Sequence, residues 1–287
     1  MKSLIGILFF ASSSVFAACS SDESEIPLSP WVDTDTPLNV SPANEVIGKG
    51  WKLVFSDEFN DGSVNLNKWT LRESKETRTP RPALGINEWY YKPENVFEKD
   101  GALSLKCKKV GDDVMYGSAI TSEKKYLVKY GYLEARVKNA DIKKAIHTAF
   151  WMSSPNINNV DGTGNDGAEI DIFESAYIAD KTLSSIHIDG YGDAHQEKNI
   201  RFDATGLHEG FHVWGLLWNE NKLEIYYDGV LKATFDEEKW IPRVEEYILF
   251  SAEATFSGEG DFRGQPVDSY LTEALVDYIR VWSLEEK

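Results

Sequence analysis

The sequence is poor in cysteine, with only Cys19 and Cys107 among its 287 residues. Cys19 directly follows an apolar N-terminal segment, whereas Cys107 lies in the strand-like stretch 103–107. If Cys19 is used for attachment to a lipid, no intramolecular disulfide can form. Packing alone must then stabilise the fold.

Positive charge is also scarce. The chain has 30 Lys and Arg against 47 Asp and Glu, which gives a formal net charge of −17. Nucleic-acid binding requires clustered basic residues, so nucleic acid is excluded as a partner. The same charge disfavours heavily sulfated glycans. An acidic surface is also an ordinary means of keeping an extracellular domain soluble.

A long apolar run occurs only at the N-terminus. Lys2 is followed by the apolar residues 4–10 and by small residues as far as Ala18, which predicts a signal peptide over residues 1–18. This run is too short to span a membrane as a helix. Residues 16–19, Phe-Ala-Ala-Cys, resemble a lipoprotein cleavage box, although Leu is usual where Phe16 stands.

That resemblance implies cleavage before Cys19 and attachment of lipid to its sulfur. The sequence therefore predicts an exported lipoprotein of the outer membrane, monomeric, facing the cell surface and touching the membrane only through its anchor. Ordinary secretion with an unmodified Cys19 is the alternative. Residues 19–48 are acidic and Ser-rich at 20–25 and contain four prolines, which predicts a tether. The folded domain is predicted to span residues 49–287.

Beyond Trp51 the sequence lacks long amphipathic helices and alternates with a period of two. Residues 132–137, 223–227 and 275–281 each alternate in this way, as half-buried strands do. Asp228-Gly229 follows the second of these stretches and is typical of a hairpin turn. The pattern predicts an all-β domain, either an antiparallel sandwich or a jelly roll.

Three acids are interleaved with apolar residues in Glu169-Ile-Asp171-Ile-Phe-Glu174. In a regular strand Glu169 and Asp171 share one face and Ile170 and Ile172 the other. Glu174, five positions after Glu169, joins the first two only if a bulge occurs near Ile172 or Phe173.

Retaining glycosidases require two carboxyls about 5–5.5 Å apart, one nucleophilic and one protonated. Neighbouring negative charges raise the pKa of one member, so that it keeps a proton near neutral pH. An acid between the two, as Asp171 is, would influence both. Ordinary acids on the solvent face of a surface strand are the alternative.

This segment and several others resemble glycoside hydrolase family 16. Residues 169–174 are similar to the bulged form of the family's Glu-x-Asp-x-x-Glu signature. The other similar segments are residues 51–59, 87–91 with 94–95, 130–136, 149–152, 211–218 and 276–282. The resemblance implies a β-jelly-roll sandwich of two antiparallel sheets with an open cleft, suited to attack on internal bonds of a glycan.

The resemblance also implies roles for individual residues. Glu169 would be the nucleophile, Glu174 the general acid/base and Asp171 an assisting acid, with no cofactor for catalysis. Substrate contacts would come from Trp151, His187, Trp89, Glu88 and Asn87, although core packing is the alternative for each tryptophan. A structural Ca²⁺ would be held by Asp277 and by backbone oxygens near Glu58 and Gly101, since oxygen ligands suit calcium.

The substrate is less well defined by sequence. Residues 161–168 lack the Trp-Pro pair of laminarinases, and residues 251–253 lack their Asn and Gly-Gly stretch. These departures favour a galactose-containing β-glycan of low sulfation, as cleaved by endo-β-galactosidases. An endo-β-1,3- or mixed-linkage β-glucanase is the alternative.

Two functions of other classes are also considered. A glycan-binding surface protein without turnover could use the same fold, but loss of a terminal acid would be expected. Residues 208–212 match the zinc-protease pattern His-Glu-x-x-His, which requires both histidines on one helical face. Gly210 and the strand-like residues that follow disfavour that helix.

Overall fold

The structure is a computed structural model that describes residues 29–37, 39–43, 48, 50–141, 146–255, 262, 267 and 271–284. These residues form sixteen β-strands and three short 3-10 helices. The strands are β1 Trp51–Asp57, β2 Thr70–Leu71, β3 Glu88–Tyr91, β4 Val96–Lys99, β5 Ala102–Lys109, β6 Val114–Thr121, β7 Gly131–Lys138, β8 Ile146–Ser153, β9 Glu169–Ile178, β10 Lys181–Ile188, β11 Gln196–Asp203, β12 Phe211–Trp218, β13 Leu223–Tyr227, β14 Val230–Phe235, β15 Tyr247–Ala254 and β16 Leu271–Leu284. The 3-10 helices are Pro82–Leu84, Pro93–Asn95 and Glu238–Trp240. The prediction of an all-β chain is confirmed.

The strands form one continuous antiparallel sheet that curves over to make two facing layers. One layer has the order β11-β10-β9-β8-β15-β6, and the other continues as β5-β16-β7-β12-β13-β14. Among the described strands, β3 departs from this pattern because it pairs parallel with β6. Phe173 of β9 stacks on Trp214 of β12 with ring centroids 4.2 Å apart, so the two layers face each other across the core. The predicted jelly roll is confirmed.

Large aromatic side chains fill the space between the layers. Trp69, Trp89, Trp214 and Trp218 are each less than 2% exposed. Side chains of this kind bury about 150–250 Å² apiece and dominate the energetics of a core. The second cysteine, in β5, is a buried free thiol whose pKa is raised by burial. Hydrophobic packing is therefore the main source of stability in the described β layers.

Residues 29–37 and 39–43, part of the predicted tether 19–48, contact the sheet instead of standing apart from it. Val32, Asp33 and Thr36 are buried, and the Glu58 backbone N–H donates a 3.0 Å hydrogen bond to Asp33. The backbone N–H of Ala43 donates to Glu134 at 2.8 Å. The acidic and proline-rich composition predicted a tether. A few apolar and hydrogen-bonding side chains are nevertheless enough to hold a short segment against the sheet.

The signal peptide and Cys19 lie outside the described residues, so lipid attachment stays a prediction. Over the part of the chain that is described, no helix has the length and apolar character needed to cross a membrane.

Candidate active site

A β-bulge in β9 is the local feature that builds the site. Against β8, Asp171 pairs with Trp151 and Phe173 pairs with Phe150. The step is one residue on β8 and two on β9, so Ile172 is the extra residue. The register against β10 shifts over the same stretch. The bulge predicted near Ile172 or Phe173 is confirmed.

The bulge changes which side chains face the core. Ile172 and Phe173 are consecutive and both belong to the hydrophobic core, whereas consecutive side chains of a regular strand point to opposite faces. The extra residue turns Glu174 back to the side occupied by Glu169 and Asp171. All three acids line one cavity, as the Glu-x-Asp-x-x-Glu spacing predicts when it carries a bulge.

This cavity lies on the layer that contains β8, β9, β10 and β15, and its volume is about 470 Å³. It combines acids, histidines, arginines and aromatic rings. Its lining residues are Arg78, Thr79, Arg81, Trp89, Tyr91, His147, Ala149, Trp151, Glu169, Asp171, Glu174, His187, Tyr191, Ser251 and Glu253. The mixture suits a polar ligand with flat apolar faces, such as a sugar chain.

Burial and mutual repulsion change the proton affinity of the acids. Burial, together with the negative charge of Asp171, raises the pKa of Glu169 to about 8. Burial and the negative charge of Glu174 raise the pKa of Asp171 well above its ordinary value. Such groups titrate as a coupled set. The trio therefore carries fewer than three negative charges at neutral pH.

A pair of histidines lies behind Asp171. The Nε2 atom of His187 is 3.2 Å from a carboxylate oxygen of Asp171, and its Nδ1 atom is 2.9 Å from Nε2 of His195. The two ring planes differ by only 10° and the ring centroids are 5.2 Å apart. Nδ1 of His187 and Nε2 of His195 therefore face each other with the two rings nearly in one plane. A neutral His187 that donates to Asp171 accepts from His195. His187, predicted near the catalytic strand, is brought to the site, whereas His195 was not anticipated.

Two sets of side chains among the described residues offer three potential metal ligands within 4.8 Å of one another: His187, His195 and Glu197, and Glu169, Asp171 and His187. In the first set the imidazole nitrogens point directly at each other. Two nitrogens that bind one metal would instead converge on a third point. A hydrogen bond between the rings accounts for the observed geometry.

Tyr191 is a second site residue that the sequence did not reveal. Its hydroxyl donates a hydrogen bond to Glu169, while 61% of the residue remains exposed. The ring stacks on His195 at a centroid distance of 5.0 Å. Its position in the sequence could have indicated this role. Tyr191 lies in the glycine-rich loop Asp189-Gly-Tyr-Gly192, which directly follows the strand that contains His187.

Glu174 is held from two sides. The hydroxyl of Ser185 donates a 2.9 Å hydrogen bond to Oε2 of Glu174. On the other side, Nε2 of His147 is 3.5 Å from Oε1 of Glu174. Neither partner was identified from the sequence, because both lie on neighbouring strands and reach Glu174 only through strand pairing.

The tryptophans predicted to contact substrate differ in their surroundings. Trp151 lines the cavity, and its indole N–H donates to the Ser251 hydroxyl at 3.2 Å. Trp89 also contributes to the lining but is only 1% exposed, and the Arg78 guanidinium covers its ring at 4.9 Å. Trp151 is therefore available to a sugar ring, whereas Trp89 mainly supports Arg78.

Asn87 and Glu88 do not reach the cavity, contrary to the sequence-based expectation. Asn87 is exposed and donates to Asp113 at 2.7 Å, and Glu88 accepts a hydrogen bond from Tyr90. In β3 the side chain of Trp89 points inward, so that of Glu88 points outward. The resemblance placed Asn87, Glu88 and Trp89 together at the substrate, whereas in the structure Trp89 alone of the three lines the cavity.

Asp277, whose carboxylate is predicted to bind calcium, and Glu58, near the predicted backbone ligands, are each paired with an arginine. Asp277 pairs with Arg136 at 2.6 Å, and Glu58 accepts two hydrogen bonds from Arg280 at 2.9 and 2.8 Å. Gly101 lies in the tight turn between β4 and β5, with φ of 77°. This arrangement does not present the carboxylate oxygens to a metal, and the calcium site stays a prediction.

The zinc-protease pattern lies in the wrong secondary structure. His208 is in a turn, where its Nδ1 is 2.9 Å from the Ala140 carbonyl oxygen. His212 is the second residue of β12, and its Nδ1 is 2.7 Å from Asp228. Without a helix the two imidazoles do not share a face, so the metallopeptidase hypothesis is wrong.

Comparison with known proteins finds similarity over the whole β fold. A family model described as "Beta-porphyranase A-D, GH16 domain" matches residues 51–284, from the first residue of β1 to the last of β16. The catalytic domain of an endo-1,3-beta-glucanase (laminarinase) from Thermotoga petrophila superposes with a TM-score of 0.67. It is 26% identical, and the match covers 82% of this chain and 99% of that domain.

Similar proteins known by sequence carry different substrate names. Glucan endo-1,3-beta-glucosidase A1 of Niallia circulans is 22% identical over 88% of this chain, which spans 41% of that protein's length. Beta-porphyranase B of Phocaeicola plebeius is 24% identical over 69% of this chain and 80% of its own length. The chain spans between 34% and 51% of the first three curated relatives.

Proposed function

Since the chain belongs to glycoside hydrolase family 16, we propose that it is a retaining endo-glycosidase that cleaves internal β-linkages of a galactose-containing glycan. The observation that carries this proposal is the bulged strand β9, which directs Glu169, Asp171 and Glu174 into one cavity. No cofactor takes part in the proposed reaction.

The proposed reaction is a double displacement. In the reactive form the proton that the coupled acids share is on Glu174. The Glu169 carboxylate then attacks the anomeric carbon while Glu174 gives this proton to the leaving oxygen, and the glycosidic bond breaks. Water then attacks the glycosyl enzyme, Glu174 takes one of its protons, and Glu169 leaves as a carboxylate. Asp171, aligned by His187 at 3.2 Å, adjusts the charge of both acids. Two inversions at one carbon give net retention.

The galactose-containing substrate is supported by sequence and by the cavity wall. The matched family model is described by the name of β-porphyranases, and residues 251–253 lack the Asn and Gly-Gly stretch of laminarinases. Arg78, which packs over Trp89 and Tyr91 at 4.9 and 4.6 Å, adds a fixed positive charge. Such a charge suits a glycan with an occasional anionic substituent, while the net charge of −17 disfavours dense sulfation.

A β-1,3- or mixed-linkage β-glucan is the second candidate, favoured by the laminarinase domain that superposes on this fold. The two are separated by measuring reducing ends released from neutral, weakly sulfated and heavily sulfated galactans and from laminarin. We expect neutral or weakly sulfated galactans to be cut best, with early products of mixed length. Rapid cleavage of laminarin and of no galactan would reverse this preference. A folded protein that binds glycans but releases no reducing ends would instead be a binding protein.

The mechanism is tested by proton NMR of the first-formed product. A β-anomer is expected, and an α-anomer released first from a β-linked chain contradicts the double displacement. Glu169→Ala should lose turnover and still fold and bind glycan. Glu174→Ala should fail chiefly on poor leaving groups and be partly rescued by azide, giving a β-glycosyl azide.

We also propose that the protein is an outer-membrane lipoprotein exposed at the cell surface and is monomeric. The support is the cleavage box that ends at Cys19 and the acidic segment that follows it. A surface location would bring the cavity to polymers that are too large to enter the cell.

A further inference from the structure

His147 occupies a buried position between two carboxylates. Its Nε2 atom is 3.5 Å from Oε1 of Glu174, and its Nδ1 atom is 3.6 Å from Oε1 of Glu253. The histidine is 4% exposed and Glu253 is 9% exposed. The other oxygen of Glu253 accepts a hydrogen bond from the Tyr91 hydroxyl. A chain of polar contacts thus runs from Tyr91 through Glu253 and His147 to Glu174.

Strand pairing explains why these residues meet. His147 of β8 and Glu253 of β15 are directly opposite each other in the antiparallel ladder, so their side chains project on the same face. On the other side of β8, Ala149 is opposite Glu174 of β9. His147 is two residues from Ala149, and its side chain therefore lies on the face that carries the acids.

The charges of this cluster favour an ion pair. Although burial opposes a charge on His147, the neighbouring carboxylates of Glu253 and Glu174 raise its pKa overall. Burial likewise opposes charge on Glu253, but the nearby positive charge of His147 lowers its pKa. The positive charge of Arg81 acts to lower the pKa of His147. The positive charge of Arg78 and the hydrogen bond from Tyr91 lower the pKa of Glu253.

A buried ion pair is not explained by stability alone. Removing two charges from water costs several kcal/mol per ion, and apolar residues of similar volume often stabilise a protein as well or better. Replacing one partner alone leaves an uncompensated charge. The position of this pair in the cavity lining, in contact with Glu174, indicates a use in the reaction.

We propose that His147 and Glu253 form a positioning pair for Glu174, an inference that rests on the proposed function. The Nε2–H of protonated His147 orients the Glu174 carboxyl toward the leaving oxygen. It then stabilises the carboxylate that remains after Glu174 has given up its proton. His147 keeps its own proton throughout, and Glu253 balances its charge.

The test compares two substrates in wild type, His147→Gln and Glu253→Gln. One is the cleaved polysaccharide, whose leaving alcohol needs a proton. The other is a 2,4-dinitrophenyl β-glycoside of the corresponding oligosaccharide, whose leaving group needs none. Both variants should lose about tenfold to a hundredfold in kcat/KM on the polysaccharide, a part of the 10²–10⁴ that general acid catalysis provides. On the dinitrophenyl glycoside they should stay within about twofold of wild type by the same reasoning.

Thr148→Val is the matched control, since Thr148 is the next residue on β8 and is also buried. It should affect both substrates equally or not at all. Glu253→Gln keeps the test decisive if His147→Gln does not fold, and melting curves verify folding of each variant. The pH profile on the polysaccharide should also shift in both variants.

The possible outcomes distinguish failure of the positioning role of His147 and Glu253 from failure of the proposed function. Equal losses on both substrates in a folded variant, or no loss at all, overturn the positioning role while hydrolysis itself stands. A wild type that hydrolyses neither substrate nor any other glycan overturns the proposed function and this inference with it. A loss confined to the polysaccharide supports both.

Discussion

Replacing Glu169 by Gln should stabilise the folded protein at neutral pH while abolishing turnover. Burial and the charge of Asp171 raise the pKa of Glu169 from 4.5 to about 8. Between these two values the folded chain holds a proton on Glu169 that the unfolded chain has released, so stability falls as pH rises through this window. Gln has no such ionisation, has nearly the same shape, and keeps an oxygen that can accept from Tyr191.

The magnitude follows from the linkage between proton binding and folding. At pH 7, which is 2.5 pH units above the ordinary pKa of 4.5, the relation gives a penalty of about 3 kcal/mol for Glu169. Water in the open cavity and coupling to Asp171 reduce this figure, and we expect a gain of about 1–3 kcal/mol. For a domain of this size, that corresponds to a rise of about 2–12 °C in Tm.

Thermal unfolding of wild type and Glu169→Gln between pH 4 and pH 8 measures this effect. The gain should be absent near pH 4, where Glu169 is protonated in both states, and should grow toward pH 8. Asp203→Asn is the matched control, because Asp203 is an exposed acid of β11 that pairs with Lys181 at 3.2 Å. Such surface pairs contribute about 0–1 kcal/mol. A Glu169→Gln midpoint at pH 7 that does not rise, or a gain that is the same at pH 4, would refute the reasoning.

Other predictions concern the charge of the trio, the anchor and metals. Asp171→Asn removes a negative charge beside Glu169 and so lowers its pKa, which should move the acid limb of the pH–rate profile to lower pH and slow the reaction. An unchanged profile would contradict this coupling. Cys19→Ala should release the protein into the soluble fraction, and a wild type that is already soluble and carries no acyl chain would disprove the anchor. His208→Ala and zinc chelation should leave activity intact, whereas calcium removal should lower Tm without abolishing turnover. Loss of activity in a folded His208→Ala variant would revive a role for zinc, and a Tm unaffected by calcium removal would argue against the calcium site.

Much of the site was predictable because its core lies in one short segment. Glu169, Asp171 and Glu174 are within six residues, and only a bulge can bring the odd-numbered offset onto one face. The alternation of polar and apolar residues likewise predicts strands, since successive side chains point to opposite faces. Both predictions rest on the spacing and alternation of residues within one strand, which can be read without knowing the partner strands.

The residues that were placed wrongly depend on contacts that local sequence patterns do not predict. In β3, alternation correctly separates Glu88 from Trp89, but it does not say which of the two faces the core. In residues 29–43, composition predicted a tether, although Val32 and Thr36 found a place on the sheet. Both outcomes depend on which surface lies opposite, and that surface comes from distant parts of the chain.

The sequence by itself determined the all-β architecture, the position of the bulge and the identity of the three acids, because each follows from periodicity or spacing within a few residues. Only the tertiary structure decided what surrounds those acids. His147, Tyr191 and Glu253 come from three other segments, and they meet the trio through strand pairing and a connecting loop. Register between strands depends on the packing of the whole sheet, and it sets both the partners of each carboxyl and the burial that changes its pKa.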